Sequence, residues 1–458
     1  ALKKFLSFHP EVVVIATCRR AANGGRFKGS VASQVDVLQK AAAIGCQLVD
    51  IELESASALK TGELGKLRLK AGVILSFHDF RATRKVEETF AKMTAHPADF
   101  YKIVTTATSL HDNVVMMKFL ERASHEHSVI GLCMGEQGTI SRVLGLRAGS
   151  IFTFAAASVG EETGPGQITA KTLRDVYRIE QVDAATKVYG VAGDPVAHSL
   201  SPAMMNTAFR RENVNAVYLA LHAKAVDDLV ACVREIPIQG MSVTMPYKEE
   251  IVEHLDNSDP LTQKVGACNT VVRGADGRLF GFNTDVAGVV GPLEQRLTLQ
   301  GAKVVVLGAG GAARAAVFGL KARGAEVYIL NRTPAAAQKL ARQAHARSIK
   351  RADLKKIKPD VIINATSVGL GDAKVSPLHQ EEIEARFVMD MVYQGETKFM
   401  KLANARGATV IPGHEMFVQQ GARQFEIWTG KPAPEADMLN EVLSAIERQS
   451  QNGKTLRK

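Results

Sequence analysis

The chain has 458 residues, a net charge of +10 and five cysteines. That length suits roughly two to four domains, and no apolar run approaches the ~20 residues a membrane helix needs. Cys18, Cys46, Cys133, Cys232 and Cys268 are scattered and odd in number. They form no metal spacing, so the expectation is a reduced, cytoplasmic protein with buried thiols, no metal and no secretory or transit leader. The basic residues are spread out and lack interleaved aromatics, which argues against nucleic acid and suits anionic small molecules. Only Lys454–Lys458 clusters, and it reads as a frayed terminus.

In chain order, short β-rich runs alternate with helical stretches through the first 183 residues. The runs are Val12–Thr17, Leu48–Leu53, Gly72–Phe77, Phe100–Thr105, Val129–Met134 and Ser150–Phe154. Helices are predicted between them, as at Val31–Ile44 and Asn113–His125. Strands each followed by a helix imply a parallel sheet or a barrel. A (β/α)8 barrel needs eight such units in about 250 residues, so this segment reads as a barrel short of about two. The pattern restarts with a strand at Val188–Ala192 and alternates on to Asp285. A nucleotide-binding unit follows, to about Gly413, then helices at Glu415–Trp428 and near Met438–Arg448. The predicted domains are 1–183, 184–285 with 414–458, and 286–413.

Within the last of these, Lys303–Arg314 and Glu326–Thr333 read as strand, glycine turn, helix, strand. Gly308 and Gly310 permit a tight turn, and small Ala313 fills the third position of G-x-G-x-x-G/A. The helix amides then face a pyrophosphate. NAD readers usually end the second strand on an acid. Here Asn331 stands there with Arg332 beside it, which favours the 2′-phosphate of NADP.

Four segments before it carry polar groups in apolar surroundings: Gly193–Pro202, Ser242–Lys248, Gly266–Val271 and Gly281–Asp285. Lys248 and Asp285 are the acid–base candidates, because reducing a ketone by hydride makes an alkoxide that needs a proton. Ser199, Ser201, Thr244 and Asn269 suit a carboxylate and several hydroxyls. Taken singly, Ser199 and Ser201 also read as caps for the helix after Pro202, and Lys248 as a surface residue.

Together these segments resemble shikimate dehydrogenases, from about Lys187 to Gly430. The motifs are H-S-x-S-P, S-V-T-x-P-x-K, G-A-x-N-T, G-x-N-T-D, the glycine turn, N-R-T, Asn364-Ala-Thr-Ser-Val-Gly369 and Gln420–Gly430. The resemblance implies reversible, NADP-dependent reduction of 3-dehydroshikimate to shikimate, with Lys248 and Asp285 catalytic. It implies substrate contacts from Ser199, Ser201, Thr244, Asn269, Tyr393 and Gln420. Cofactor contacts would come from Gly308, Ala309, Gly310, Gly311, Ala312, Asn331, Arg332, Thr333, Thr366 and Gly413. One departure is Tyr393-Gln-Gly395, where the family commonly has Tyr-x-Pro.

In the first half, Lys102 sits inside the apolar run Phe100–Val104, where burial of a charged amine is costly and favours a nucleophilic one. His78 follows the run Val73–Phe77, at the end where barrel active sites form. Arg142 suits a substrate carboxylate. Ser76–Phe80, Tyr101–Ile103, Met134-Gly135, Ser141-Arg142, Thr153-Phe154 and Gly164–Gln167 resemble type I 3-dehydroquinate dehydratases. That resemblance implies a Schiff base on Lys102 and acid–base work by His78. It implies substrate contacts from Arg19, Arg142, Thr163 and Gln167, and a pocket lined by Phe154. Such enzymes turn 3-dehydroquinate into 3-dehydroshikimate, the substrate of the second half. The chain departs from the pattern by opening near the family's third strand and by placing Asn23 where R-T-x-x-E-G-G has glutamate. The alternatives are a fragment, a non-catalytic barrel remnant, or a barrel closed by another element. For the whole chain, a quinate dehydrogenase and an NADP-binding regulator also stand. Partners are expected to be small molecules only, and the oligomeric state is left open.

Overall fold

A computed structural model describes residues 2–60, 62–197, 199–393 and 395–455. His198 of H-S-x-S-P, Gln394 of the Tyr393–Gly395 turn and the last three residues of the basic tail lie outside the described residues. Two compact units result: residues 1–186 with 221–236, and residues 187–220 with 237–458.

The first unit is built on five parallel strands in sequence order: β1 (Ile15–Thr17), β2 (Leu48–Glu52), β3 (Gly72–His78), β4 (Phe100–Thr106) and β5 (Val129–Met134). The helix Val31–Ile44 forms where local chemistry dictates. Ser30 caps its first turn by accepting from the Ser33 amide, and Gly45 ends it at φ 115°. The predicted sixth strand, Ser150–Phe154, does not form. Its Ile151 amide reaches the Val129 carbonyl at 2.9 Å. Beyond that point the Ser150 hydroxyl accepts from the Gly131 amide and donates to the Phe152 carbonyl. A side chain thus occupies the place of ladder bonds, and no register develops.

In the second unit a six-stranded sheet runs in the order β7-β6-β8-β10-β11-β9. Its strands are β6 (Lys187–Gly193), β7 (Ala216–His222), β8 (Ile238–Val243), β9 (Asn257–Ser258), β10 (Thr270–Arg273) and β11 (Leu279–Phe282). A second sheet, wholly parallel, follows the order β14-β13-β12-β15-β16-β17. It contains β12 (Lys303–Leu307), β13 (Glu326–Leu330), β14 (Arg347–Ser348), β15 (Val361–Asn364), β16 (Phe387–Asp390) and β17 (Thr409–Ile411). β12 is Lys-Val-Val-Val-Leu, buried on both faces as a central parallel strand should be. The strand order reverses between β12 and β15, the place where doubly wound sheets bind ligands.

The helix Gly413–Thr429 leaves β17 and runs back to the first of these two sheets, one turn longer than the predicted Glu415–Trp428. The final helix spans Glu435–Thr455. Phe425 is fully buried, 5.7 Å from the ring of Phe209 and packed among Met204, Met205 and Met438. Phe425→Ala removes that ring from a site that cannot collapse around it. It should cost about 3–5 kcal/mol, read by urea unfolding through the fluorescence of the single tryptophan, Trp428. A loss below about 1 kcal/mol would show that this packing is not what holds the helix.

Candidate active sites

In the second unit, the loop after β8 carries Lys248 and the helix Asp285–Glu294 opens on Asp285. Lys248 Nζ donates to Asp285 Oδ2 at 2.5 Å, and Asp285 is almost wholly buried. Asn269, just before β10, donates from Nδ2 to Asp285 Oδ1 at 2.8 Å. Its Oδ1 accepts from the Thr284 amide and the Thr270 hydroxyl, both at 2.8 Å. Gln420 Oε1 lies 3.4 Å from the same Nδ2. The surface-residue reading of Lys248 is therefore set aside.

Ser199 accepts from the Ser201 amide at 3.2 Å, but the helix Ser201–Arg211 has Leu200 at its cap position with no side-chain cap among the described residues, so neither serine caps it. The Ser199 hydroxyl also meets the phenol of Tyr393, whose acidity burial weakens while Ser199 opposes the shift. Tyr393 stacks on Phe417, with centroids 4.3 Å apart. Ser201 is buried and reaches the Tyr218 hydroxyl. Thr244 donates its amide to the Ala192 carbonyl at 2.9 Å, which ties its loop to the end of β6.

The glycine turn lies at the sheet's reversal point. Gly308 adopts φ 118°, and a Cβ there would stand 2.9 Å from the Ala365 carbonyl oxygen and 3.3 Å from Thr366 Cγ2. That position admits only glycine. Ala309 and Gly310 complete the turn, and the helix Gly311–Ala322 starts with Ala312 and the buried Ala313 in its first turn. No side chain among the described residues caps that helix, and the space a Cβ would fill at Gly310 is open. Uncapped amides beside open space suit a phosphate group. Asn331 donates to the Thr333 carbonyl at 3.1 Å, and Arg332 is exposed with no ion pair among the described residues. A free guanidinium there fits an additional phosphate. A Cβ at Gly311 would lie 3.3 Å from Lys248 Cβ and Cδ, so the turn and the Lys248–Asp285 pair adjoin. Gly413 is buried at the start of its helix.

In the first unit, Glu52, Ser76 and Lys102 are aligned across β2, β3 and β4. Asp50, two residues before Glu52, shares its face of β2. Lys102 Nζ donates to Asp50 Oδ2 at 2.9 Å and lies 4.0 Å from the centre of the Phe154 ring. Asp50 also accepts from Ser76 at 2.6 Å and from Arg19 at 3.3 Å. Burial pushes its carboxyl up, but the charges of Lys102 and Arg19 and the hydrogen bonds outweigh it and hold Asp50 down to about 2.

His78 ends β3 and accepts at Nε2 from Arg19 Nη1 at 2.5 Å. Accepting there requires a neutral ring. Burial, with the Arg19 and Lys102 charges, lowers its pKa to about 2. Arg142 is buried, and its Nη2 donates to the Pro165 carbonyl at 3.0 Å. Among the described residues its Nε has no partner and no carboxylate pairs with it, and burial draws it down to about 10. Gln167 Oε1 accepts from the Thr163 amide at 2.7 Å and its hydroxyl at 3.2 Å, which closes the loop beside Pro165. Asn23 ends a short 3-10 turn.

Sequence reasoning missed Asp50 and Glu52, although alternation in Leu-Val-Asp-Ile-Glu puts both on one face. Gln34 belongs with them, through hydrogen bonds to Glu52 and the Cys18 carbonyl. In the second unit Thr284, Thr270, Ser242 and Gln424 were missed. Four of the five cysteines are buried, and Cys18 is half-buried. No helix among the described residues is long and apolar enough to cross a membrane.

Comparison with known proteins divides along the same lines. Residues 1–184 match the family model for type I 3-dehydroquinase. Residues 191–271 match the shikimate dehydrogenase substrate-binding domain, 293–391 shikimate/quinate 5-dehydrogenase, and 413–443 the shikimate 5-dehydrogenase C-terminal domain. Shikimate dehydrogenase (NADP(+)) of Geobacillus kaustophilus is 40% identical over 57% of this chain and 99% of its own. The crystal structure of shikimate 5-dehydrogenase from Thermus thermophilus in complex with NADP(H) and shikimate aligns with a TM-score of 0.53 and 37% identity. It covers 57% of this chain and all of that one. The second unit thus has the dehydrogenase fold. The bifunctional 3-dehydroquinate dehydratase/shikimate dehydrogenase of Arabidopsis thaliana is 36% identical over 91% of this chain and 73% of its own length. The chain belongs to that bifunctional family.

The His78 environment sets a pH dependence. Its pKa is about 2 in the folded chain against an ordinary 6.5, so on acidification the unfolded chain gains a proton first. The resulting stability is present above about 6.5 and drains away below it. Asp50 adds a second loss in the same direction, between 3.8 and about 2. The melting temperature should therefore fall as pH drops from 7 to 5, and His78→Asn should flatten that fall. Equal slopes for the two proteins would mean that His78 titrates normally in the fold.

Proposed function

We propose that the chain carries out two consecutive steps on a cyclic hydroxy acid. The first unit dehydrates 3-dehydroquinate to 3-dehydroshikimate, and the second reduces that product to shikimate, reversibly, with NADP. The observation that carries the second activity is the Lys248–Asp285 pair lying against the phosphate-binding turn at Gly311. When bound, NADPH supplies the hydride. Lys248 gives a proton to the oxygen that becomes the new hydroxyl, and Asp285 holds the amine in place. Ser199, Ser201, Thr244, Asn269, Tyr393 and Gln420 hold the carboxylate and hydroxyls. Gly308, Ala309, Gly310, Gly311 and Ala312 cradle the pyrophosphate, Thr366 and Gly413 border the cofactor, and Asn331, Arg332 and Thr333 read its 2′-phosphate.

In the first unit Lys102 passes its extra proton to the neutral His78 ring; the free amine adds to the substrate ketone, and His78 returns that proton to the departing water as the iminium forms. A proton then leaves the adjacent carbon, and the next hydroxyl departs as water with a proton passed by His78. Hydrolysis frees the enone and restores the amine. Arg142, buried with no carboxylate against it among the described residues, suits the substrate carboxylate, with Arg19, Thr163 and Gln167 around the ring and Phe154 against Lys102. We assign domains at 1–183, 184–285 with 414–458, and 286–413, since each of the three sheets falls within one of them. We place the enzyme in a reducing compartment, the cytoplasm, on the strength of its buried thiols; the Arabidopsis relative is named as chloroplastic. Its partners are small molecules.

Asn23 supports a second reading, in which only the dehydrogenase works and the first unit is a scaffold. NADP reduction should proceed with shikimate in preference to quinate. Lys248→Ala should lower kcat by about 10²–10⁴-fold with NADP affinity kept. Turnover of neither substrate would sink the dehydrogenase reading. Borohydride added with 3-dehydroquinate should leave a reduced adduct on Lys102, located by peptide mass. An unmodified Lys102 and no enone absorbance would favour the scaffold.

A further inference from the structure

The helix Gly413–Thr429 presents Gln420, Gln424 and Trp428, one per turn, to the strand that begins after Asn269. Trp428 Nε1 donates to the Val271 carbonyl at 3.1 Å. Gln424 is buried and has every side-chain polar atom engaged. Its Nε2 donates to the Asn269 carbonyl and to Thr270 Oγ1, both at 3.0 Å, and its Oε1 accepts from the Ser242 hydroxyl at 2.8 Å. A flipped amide would set its oxygen against the Asn269 carbonyl, so one orientation is fixed.

That orientation gives direction to a longer chain. Ser242 spends its proton on Gln424, so the Tyr218 hydroxyl, 2.5 Å away, donates to Ser242. Gln424 donates to Thr270, Thr270 to Asn269 Oδ1, and Asn269 Nδ2 to Asp285 Oδ1. Every donor points towards Asp285, and every member is buried. Hydrogen bonds aligned head to tail in a dry interior strengthen one another. Reversing Asn269 would place its oxygen against a carboxylate.

We propose that Gln424 is a positioning residue for the Lys248–Asp285 pair. It sets the direction of a buried hydrogen-bond chain whose last donor, Asn269, orients Asp285. This rests on the dehydrogenase reading of the second unit. Gln424 touches neither member of the pair, so its effect passes through Thr270 and Asn269.

The test compares the full chain with Gln424→Met, which keeps shape and loses the hydrogen bonds, and with Thr270→Val, which breaks a single link. Each should lower kcat about tenfold and shift its pH profile, with the KM for NADP changed less than about twofold. The double variant should lose little beyond the worse single one, because both cut the same chain. An unchanged kcat and pH profile in both variants would overturn the proposal. So would additive losses, or losses that merely follow the folded fraction. Failure of the wild type to oxidise shikimate would count against the function instead. A crystal structure of Gln424→Met then still decides the inference: an Asn269 amide turned from Asp285 supports it, and an unmoved one refutes it.

Discussion

Each unit rests on one kind of interaction, a lysine ammonium held inside protein by an aspartate. Two isolated charges would each cost several kcal/mol to bury, and the attraction between them offsets this only when the remaining lone pairs are also satisfied. The surroundings meet that condition differently. Asp50 has Lys102 and Ser76 from neighbouring strands of one sheet about it, and Arg19 from the loop after β1. Asp285 has Lys248 on one oxygen and the neutral amide of Asn269 on the other. Removing one partner from either pair leaves an uncompensated charge, so the pairs constrain the strands, loops and helix starts that bring them together.

Those constraints explain the local anatomy. Lys248 sits on a loop tied by the Lys248 carbonyl to the Cys268 amide and by Thr244 to Ala192, so its backbone is fixed from two sides. Asp285 opens a helix, where the amide dipoles favour its negative charge. Gly311 carries the glycine turn up to Lys248 without a side chain between them. In the first unit Arg142 is the exception. It is a buried guanidinium with no carboxylate beside it among the described residues, a state that protein alone leaves unfavourable and an anionic ligand relieves.

Much of this was legible from sequence where the determinants are local. Val31–Ile44 has its cap and its terminal glycine in the chain itself, and Gly308, Ala313, Asn331 and Arg332 declare the turn within thirty residues of one another. Ser150–Phe154 failed because β-propensity says nothing of the Ser150 hydroxyl that takes the ladder's place. Asp50 and Glu52 went unread because two acids in an apolar run look like strand exposure until their partners are known. Gln424 stands inside a motif that the sequence does display, yet it bonds Thr270 across 154 residues of chain, and no spacing rule reports such a contact.

The four-residue spacing of Gln420, Gln424 and Trp428 makes their helix a measuring device. One residue added or removed upstream of Gln424 rotates everything beyond it by about 100° and shifts it about 1.5 Å. That would swing Gln424 and Trp428 off the strand together, while Gly413 stayed anchored beside β17. Substitution perturbs one tooth of this comb; a change of length puts the whole comb out of phase. The segment between Gly413 and Trp428 should therefore tolerate drift in residue identity on its exposed side, but not in residue number.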